Sequence, residues 1–389
     1  MTKSNNDAPR ICFCSFPFPT ESTRVHTYVV IEILKPVASK LTVISGNMPK
    51  GTALGPEVDF RPLRVQMHAR ASGRLRWWST VKWAAKYVAV QVEMSYRLIR
   101  MSRQTDIIVF HEGPHYPLPT ITGKLLRKKV VKYTPAAISV MHSYRRFSLD
   151  WWASFGFKVL ERVVHGLPNR IIIPTEDKEN RLGMGRYRKK IAVAMYAYID
   201  EVFQQKKDWD ERGNTIGFIG RLNEIRGALK LAQAIPMILE KKKDVRFLIV
   251  GEGPLQEEMK KVLAQANCLD KVEFVGWVPN DKIPDYLNEM KFHVSPARWD
   301  SPGTINLEAM ACGTVAIAKA VGGVPDIVLD NKTGFLLKDN DPRTIADRVV
   351  EVWDRPDLEK IREDSRRFVE DNYSRQKVVE AWKRALNGL

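Results

Sequence analysis

Cysteine is scarce in this chain, with four in 389 residues: Cys12, Cys14, Cys268 and Cys312. So few and so scattered, they build no disulfide framework, and Cys12-Phe13-Cys14 has no His or Cys partner at metal spacing. Reduced, buried thiols are expected. Long apolar runs are missing too. No stretch of about 18 uncharged apolar residues offers a membrane-spanning helix, and the polar segment Met1 to Arg10 has no apolar core of a secretory signal. The expectation is a cytoplasmic protein, or one peripheral on the inner face of the cell membrane. What remains is ordinary globular composition, 44% hydrophobic and 28% charged, at a length that suits two domains.

Acidic residues are scarce in one half only. Residues 1–199 carry 32 Lys and Arg against 13 Asp and Glu, whereas residues 200–389 carry 30 against 32. The net charge of +17 therefore belongs to the first half. Such an asymmetry points to a polyanion or an anionic membrane surface as that half's partner.

Both halves alternate short apolar runs with helical periodicity. In the second half, Thr215 to Ile219, Val245 to Val250, Val272 to Val275, Phe292 to Ser295 and Val315 to Ala318 read as strands. Between them, helical spacing recurs at Ala228 to Leu239, Leu255 to Ala266, Lys282 to Met290 and Thr304 to Ala311, with Pro236 a possible kink site. The first half has the same grammar, with strands at Ile11 to Phe16, Leu41 to Ser45, Asp106 to Phe110, Lys129 to Tyr133 and Arg170 to Pro174. The fold class is α/β, with doubly wound parallel sheets. The polar stretch 204–213 reads as a linker between a domain at 1–203 and one at 214–357. No solenoid repeat or low-complexity tract is present.

Two constellations carry chemistry. Gly220-Arg221 follows a strand, and Arg226-Gly227 opens the next helix, so two guanidiniums stand at the carboxyl edge of a parallel sheet, where such sheets bind ligands. They suit a diphosphate, or they are solvated loop charges. The second runs from Asp300 to Gly313. Gly303 lets backbone approach a ligand, and the free amides of Thr304 and Ile305 would face an anion. One turn on, the Glu308 carboxylate can accept hydrogen bonds from a ribose diol, and Asp300 can meet sugar hydroxyls. The plainer alternative is a capped helix with Ala309, Met310 and Ala311 in the core.

These residues, with Val250-Gly251-Glu252-Gly253-Pro254, Phe274-Val275-Gly276, Ser295-Pro296, Gly322-Gly323-Val324-Pro325-Asp326 and Thr333-Gly334, stand in an order that resembles family 4 of the glycosyltransferases. The resemblance covers about Thr215 to Leu337; in the first half it is architectural only. It implies the GT-B architecture, two Rossmann-like domains facing across a cleft, with the terminal segment 358–389 crossing back to the first. It further implies a retaining transfer from a nucleotide sugar without a bound metal or other cofactor. Arg221 and Arg226 would then neutralise the departing diphosphate, Glu308 would hold the ribose, and Gly303, Thr304 and Ile305 would line the donor. Four features depart from that pattern: Arg226 replaces the usual Lys, and Asp300 replaces the usual first Glu. Finally, Pro17 to Arg24 replaces a glycine-rich turn, and Thr134-Pro135 stands where a His is usual.

On the acceptor side, His111 and Glu112 end a strand at the ligand edge and rank above Arg24, His115 and His142, though each also reads as an ordinary loop residue. Arg70, Arg74, Arg76, Trp77, Trp78, Lys82, Trp83, Lys86 and Tyr87 interleave cations with aromatics. Val81, Ala84, Ala85, Val88 and Val92 supply an apolar side, and Arg145-Arg146-Phe147 with Trp151-Trp152 could join them. An interfacial helix on anionic lipid or a core helix with a basic face both fit; each basic residue at such a surface contributes roughly 1 kcal/mol. The expected function is transfer of a sugar to a glycan or lipid-linked acceptor in cell-surface polysaccharide biosynthesis. The alternatives are a nucleic-acid-binding protein, a non-catalytic nucleotide-sugar binder, and a nucleotide-sugar epimerase of the same fold.

Overall fold

A computed structural model describes residues 8–16, 21–46, 54–65, 77–111, 116–134, 165–174, 185–298, 300 and 303–389. The chain divides into two units, Met1–Ala197 with Val378–Leu389, and Tyr198–Lys377.

The first unit holds a seven-stranded parallel sheet: β1 (Arg10–Ser15), β2 (Lys40–Ser45), β3 (Val58–Pro62), β4 (Ile107–His111), β5 (Lys129–Tyr133), β6 (Arg170–Ile173) and β7 (Ile191–Val193), in the order β3-β2-β1-β4-β5-β6-β7. Its described helices are α1 (Glu21–Leu34), α2 (Trp77–Met101) and α3 (Pro117–Leu125). Central strands such as β1 are buried from Ile11 to Ser15 and apolar from Ile11 to Cys14, the pattern of a parallel strand covered on both faces. Val90, Met94, Leu98 and Met101 of α2, at helical spacing, cover Cys12, Cys14, Ile108 and Phe110 on one of them.

The second unit has six parallel strands: β8 (Thr215–Ile219), β9 (Arg246–Val250), β10 (Val272–Gly276), β11 (Phe292–Ser295), β12 (Val315–Lys319) and β13 (Phe335–Leu337), in the order β10-β9-β8-β11-β12-β13. Helices α4 (Ala228–Lys241), α5 (Gln256–Gln265), α6 (Ile283–Glu289), α7 (Thr304–Ala311), α8 (Pro342–Trp353) and α9 (Leu358–Tyr373) surround it. Strand order reverses between β8 and β11, the switch point at which such sheets take ligands. α4 continues through Pro236.

The expected boundaries shift at both ends. Stretch 204–213 is part of the second unit, because Arg212 is buried and donates to the carbonyls of Lys207, Met290 and Cys312 and to Thr314 Oγ1. Polar composition suggested a linker, yet its cation is consumed by backbone carbonyls. At the C-terminus, the chain leaves the second unit at Val378 rather than at 358. α9 stays behind, and only the last helix, α10 (Arg375–Leu386), joins the first unit. There Trp382 is fully buried, its indole donating to Met195 O at 2.7 Å and its ring 5.3 Å from that of Tyr133. All four cysteines are free and buried, in line with the sequence.

Candidate active site

The turn after β8 carries the first basic residue. It is braced by its neighbour after β9: Gly220 N–H donates to Val250 O at 2.9 Å, Leu222 N–H to Glu252 O at 2.9 Å, and Leu255 N–H to Leu222 O at 3.1 Å. The Gly-Glu-Gly-Pro sequence thereby fixes the loop that presents Arg221, which is exposed. Five residues on, the Arg226 amide donates to Asn223 Oδ1 at 2.9 Å, and its guanidinium Nη1 pairs with Asp300 Oδ1 at 2.8 Å. The two sequence constellations are thus one site, held at the switch point by an ion pair.

Asp300 is held in turn by Gly322, whose φ of +58° only glycine adopts readily, and where a Cβ would lie 1.8 Å from the Asp300 carbonyl oxygen. Gly303, left-handed at φ 76° and ψ 42°, then starts α7 without a side-chain cap. Among the described residues, no acceptor meets the Thr304 or Ile305 amide, so the first turn of α7 offers two free N–H groups. Glu308 follows on the same helix, half-buried and with no hydrogen-bonding side chain among the described residues. Burial pushes its carboxyl up to about 7, leaving it poised to gain from hydroxyl donors.

Two residues went unnoticed in the sequence. His293 of β11 and Asn306 of α7 are fully buried under this site. Ile219 N–H donates to His293 Nε2 at 3.4 Å, and the Asn306 amide lies beside the ring. Burial holds the imidazole neutral, at about 4, against the effect of Asn306, and the nearby Arg226 charge adds to the depression. A histidine inside a short apolar strand was the available signal.

Of the expected site residues, Arg226, Asp300, Gly303, Thr304, Ile305 and Glu308 lie around this one loop and helix start, with Arg221 on the adjoining turn. His111 belongs to the first unit and is fully enclosed, its ring 5.3 Å from both Phe13 and Tyr133. It packs as part of an aromatic layer rather than projecting from the strand end. Glu112, His115 and His142 lie outside the described residues, as does the side chain of Arg24.

Residues 200–375 match the family described as glycosyl transferases, group 1. Over that stretch, a little under half of the chain, the sequence is similar to the group 1 glycosyl transferases. The chain is 32% identical over 146 residues to the 2-deoxystreptamine glucosyltransferase of Streptomyces kanamyceticus, covering 38% of each chain. A longer match, 22% over 316 residues, covers 76% of this chain and 78% of the N-acetyl-alpha-D-glucosaminyl L-malate synthase of Bacillus anthracis. The chain therefore spans well under half the length of the first of these relatives. Among solved structures, Anabaena HepE in complex with UDP superposes with a TM-score of 0.73 at 15% identity, covering 98% of this chain and 100% of that one. At that identity the likeness shows the fold, which is GT-B: two parallel-sheet α/β units.

Proposed function

We propose that the protein transfers a sugar from a nucleotide-sugar donor to a glycan or lipid-linked acceptor, with retention of configuration and without a metal ion. The observation that carries this reading is the meeting of Arg226, Asp300 and the open N-terminus of α7 at the switch point. Arg221, Arg226 and the Thr304 and Ile305 amides supply the fixed positive charge that a departing diphosphate needs. Glu308 accepts from the ribose hydroxyls. The glucosyltransferase relative and the UDP complex of HepE support a nucleotide-sugar donor. A nucleic-acid reading accounts for the basic half but leaves the site of the second unit without a purpose.

The acceptor side we assign to an anionic membrane surface, which in cells is the cytoplasmic leaflet. No described helix is long and apolar enough to cross a membrane. Yet Val88, Val92, Tyr96 and Ile99 form a stripe along α2, each more than half exposed, and the neighbouring α3 adds Leu118, Ile121 and Leu125. Lys82, Lys86, Arg100, Lys124 and Arg127 are exposed on the same two helices and the turn that follows. Apolar side chains flanked by cations match an interfacial binding face. Part of the apolar side expected on α2, namely Ala84, Ala85, Val88 and Val92, is solvent-facing rather than packed in the core. Arg70, Arg74, Arg76, Arg145, Arg146, Phe147, Trp151 and Trp152 lie outside the described residues, as do the side chains of Trp77, Trp78, Val81 and Trp83.

A thermal-shift screen against UDP, GDP, ADP, CMP and their sugar conjugates tests the donor assignment. Selective stabilisation by one nucleotide family is expected, and a folded protein that none of them stabilises would overturn it.

A further inference from the structure

Beneath the donor loop lies a set of buried polar atoms. Asp300 Oδ2, Asn306 Oδ1 and Nδ2, and His293 Nδ1 are all buried and make no hydrogen bond of ordinary geometry, although the Asn306 amide lies near enough to the His293 ring to interact with it. Buried polar atoms without partners cost stability, so such a cluster marks a place that a ligand completes. Two of the atoms adjoin one point: a Cβ built on Gly303 would sit 3.1 Å from Asn306 Nδ2 and 3.6 Å from Asp300 Oδ2. With Val324 Cγ2 also 3.1 Å from that point, the two polar atoms stand close together beside Gly303 without bonding each other, one a donor and the other an acceptor. A hydroxyl group can serve both, accepting from the amide and donating to the carboxylate.

The orientation of the amide is set from behind. Because Ile219 N–H donates to His293 Nε2, the proton of the neutral ring resides on Nδ1, beside Asn306. An Nδ1–H group calls for the amide oxygen, which turns Nδ2 toward Gly303 and Asp300, as observed. We infer that Asn306 is a specificity-determining residue that, with Asp300, grips one hydroxyl of the donor's sugar, and that His293 is the positioning residue that turns the Asn306 amide toward it. The inference rests on the donor-site reading above and narrows it to the sugar moiety rather than the nucleotide.

Calorimetric titration of UDP, GDP and ADP, and of UDP-glucose, GDP-mannose and ADP-glucose, separates the two. In Asn306→Ala, affinity for the free diphosphate should stay within about two-fold of wild type while affinity for its sugar conjugate falls about ten-fold or more. His293→Phe should reproduce that split, and His293→Gln, which keeps an acceptor for Ile219 N–H and a donor for Asn306, should restore it. Melting temperatures identify any variant that fails to fold, and Asn306→Ala together with the His293 tautomer carries the test if His293→Phe does. Nitrogen chemical shifts of His293 should report the Nδ1–H tautomer. In folded Asn306→Ala or His293→Phe, equal losses for diphosphate and conjugate or no loss for either, or an Nε2–H tautomer in the wild type, would overturn the inference alone. A wild-type protein that binds none of the six ligands would overturn the donor site, and the inference with it.

Discussion

Arg226 holds Asp300 at 2.8 Å across the switch point, the carboxylate 6% exposed and the guanidinium 40%. The cation thus has an open side for a ligand while its partner is shut in. Arg226→Ala leaves a buried carboxylate without its counter-charge. With the arginine this exposed, a stability loss of about 1–3 kcal/mol is expected, seen as a lower melting temperature. Nucleotide affinity should fall with it, and Asp300→Asn in the same background should recover stability but not affinity. Equal stability of the single and double variants would show that the pair does not hold the loop.

Glu308 makes stability and binding respond to pH in opposite senses. Its carboxyl titrates near 7 in the folded protein and near 4.5 in an unconstrained chain, so ionisation is costlier when folded. The destabilisation accrues as pH rises from about 4.5 to about 7 and is constant above that, and Glu308→Gln should remove it. The proposed ribose contact needs the carboxylate, and on that proposal wild-type nucleotide affinity should increase as pH rises through about 7. A flat binding profile is expected for Glu308→Gln, checked by titration calorimetry between pH 5.5 and 8.5.

Arg212 ties 207–212 to the second unit through the carbonyls of Lys207, Met290 and Cys312. Burial, with the nearby Arg362 charge, depresses its basicity to about 10, yet the cation persists across the physiological range. Arg212→Leu strands those carbonyls together with Thr314, and a loss of about 3–5 kcal/mol is expected in denaturant unfolding. A loss below about 1 kcal/mol would return the stretch to the role of a passive connector.

The stripe on α2 should govern association with lipid. Replacing Val88, Val92 and Ile99 with Ser touches solvent-facing positions only, so melting temperature should hold. Sedimentation with phosphatidylglycerol-containing vesicles should fall, while wild-type binding should weaken with salt. Unchanged sedimentation of the triple variant would remove this face from the interface.

Strand positions were largely readable, because buried parallel strands are continuous apolar runs: Lys129 to Tyr133, Thr215 to Ile219 and Phe292 to Ser295 agree to the residue. Edge strands such as Val58–Pro62, with its Asp and Arg, and the three-residue Ile191–Val193 and Phe335–Leu337 gave too short or too polar a pattern. In the site, Arg226, Asp300 and Glu308 were legible as residue types at spacings, but the ion pair between the first two required the fold. His293 and Asn306 escaped notice because burial and missing partners are properties of packing that no spacing encodes. His111 misled for the converse reason, since its strand-end position gave no sign of the enclosing rings of Phe13 and Tyr133.

The most direct measurement is calorimetric titration of the best-stabilising nucleoside diphosphate into wild type and Glu308→Ala, in buffer containing EDTA. The account predicts binding by the wild type without added metal and at least a ten-fold weaker affinity in the folded variant, in keeping with loss of hydrogen bonds to a charged acceptor. Binding that appears only when a divalent cation is restored, or that is the same in both proteins, would contradict it.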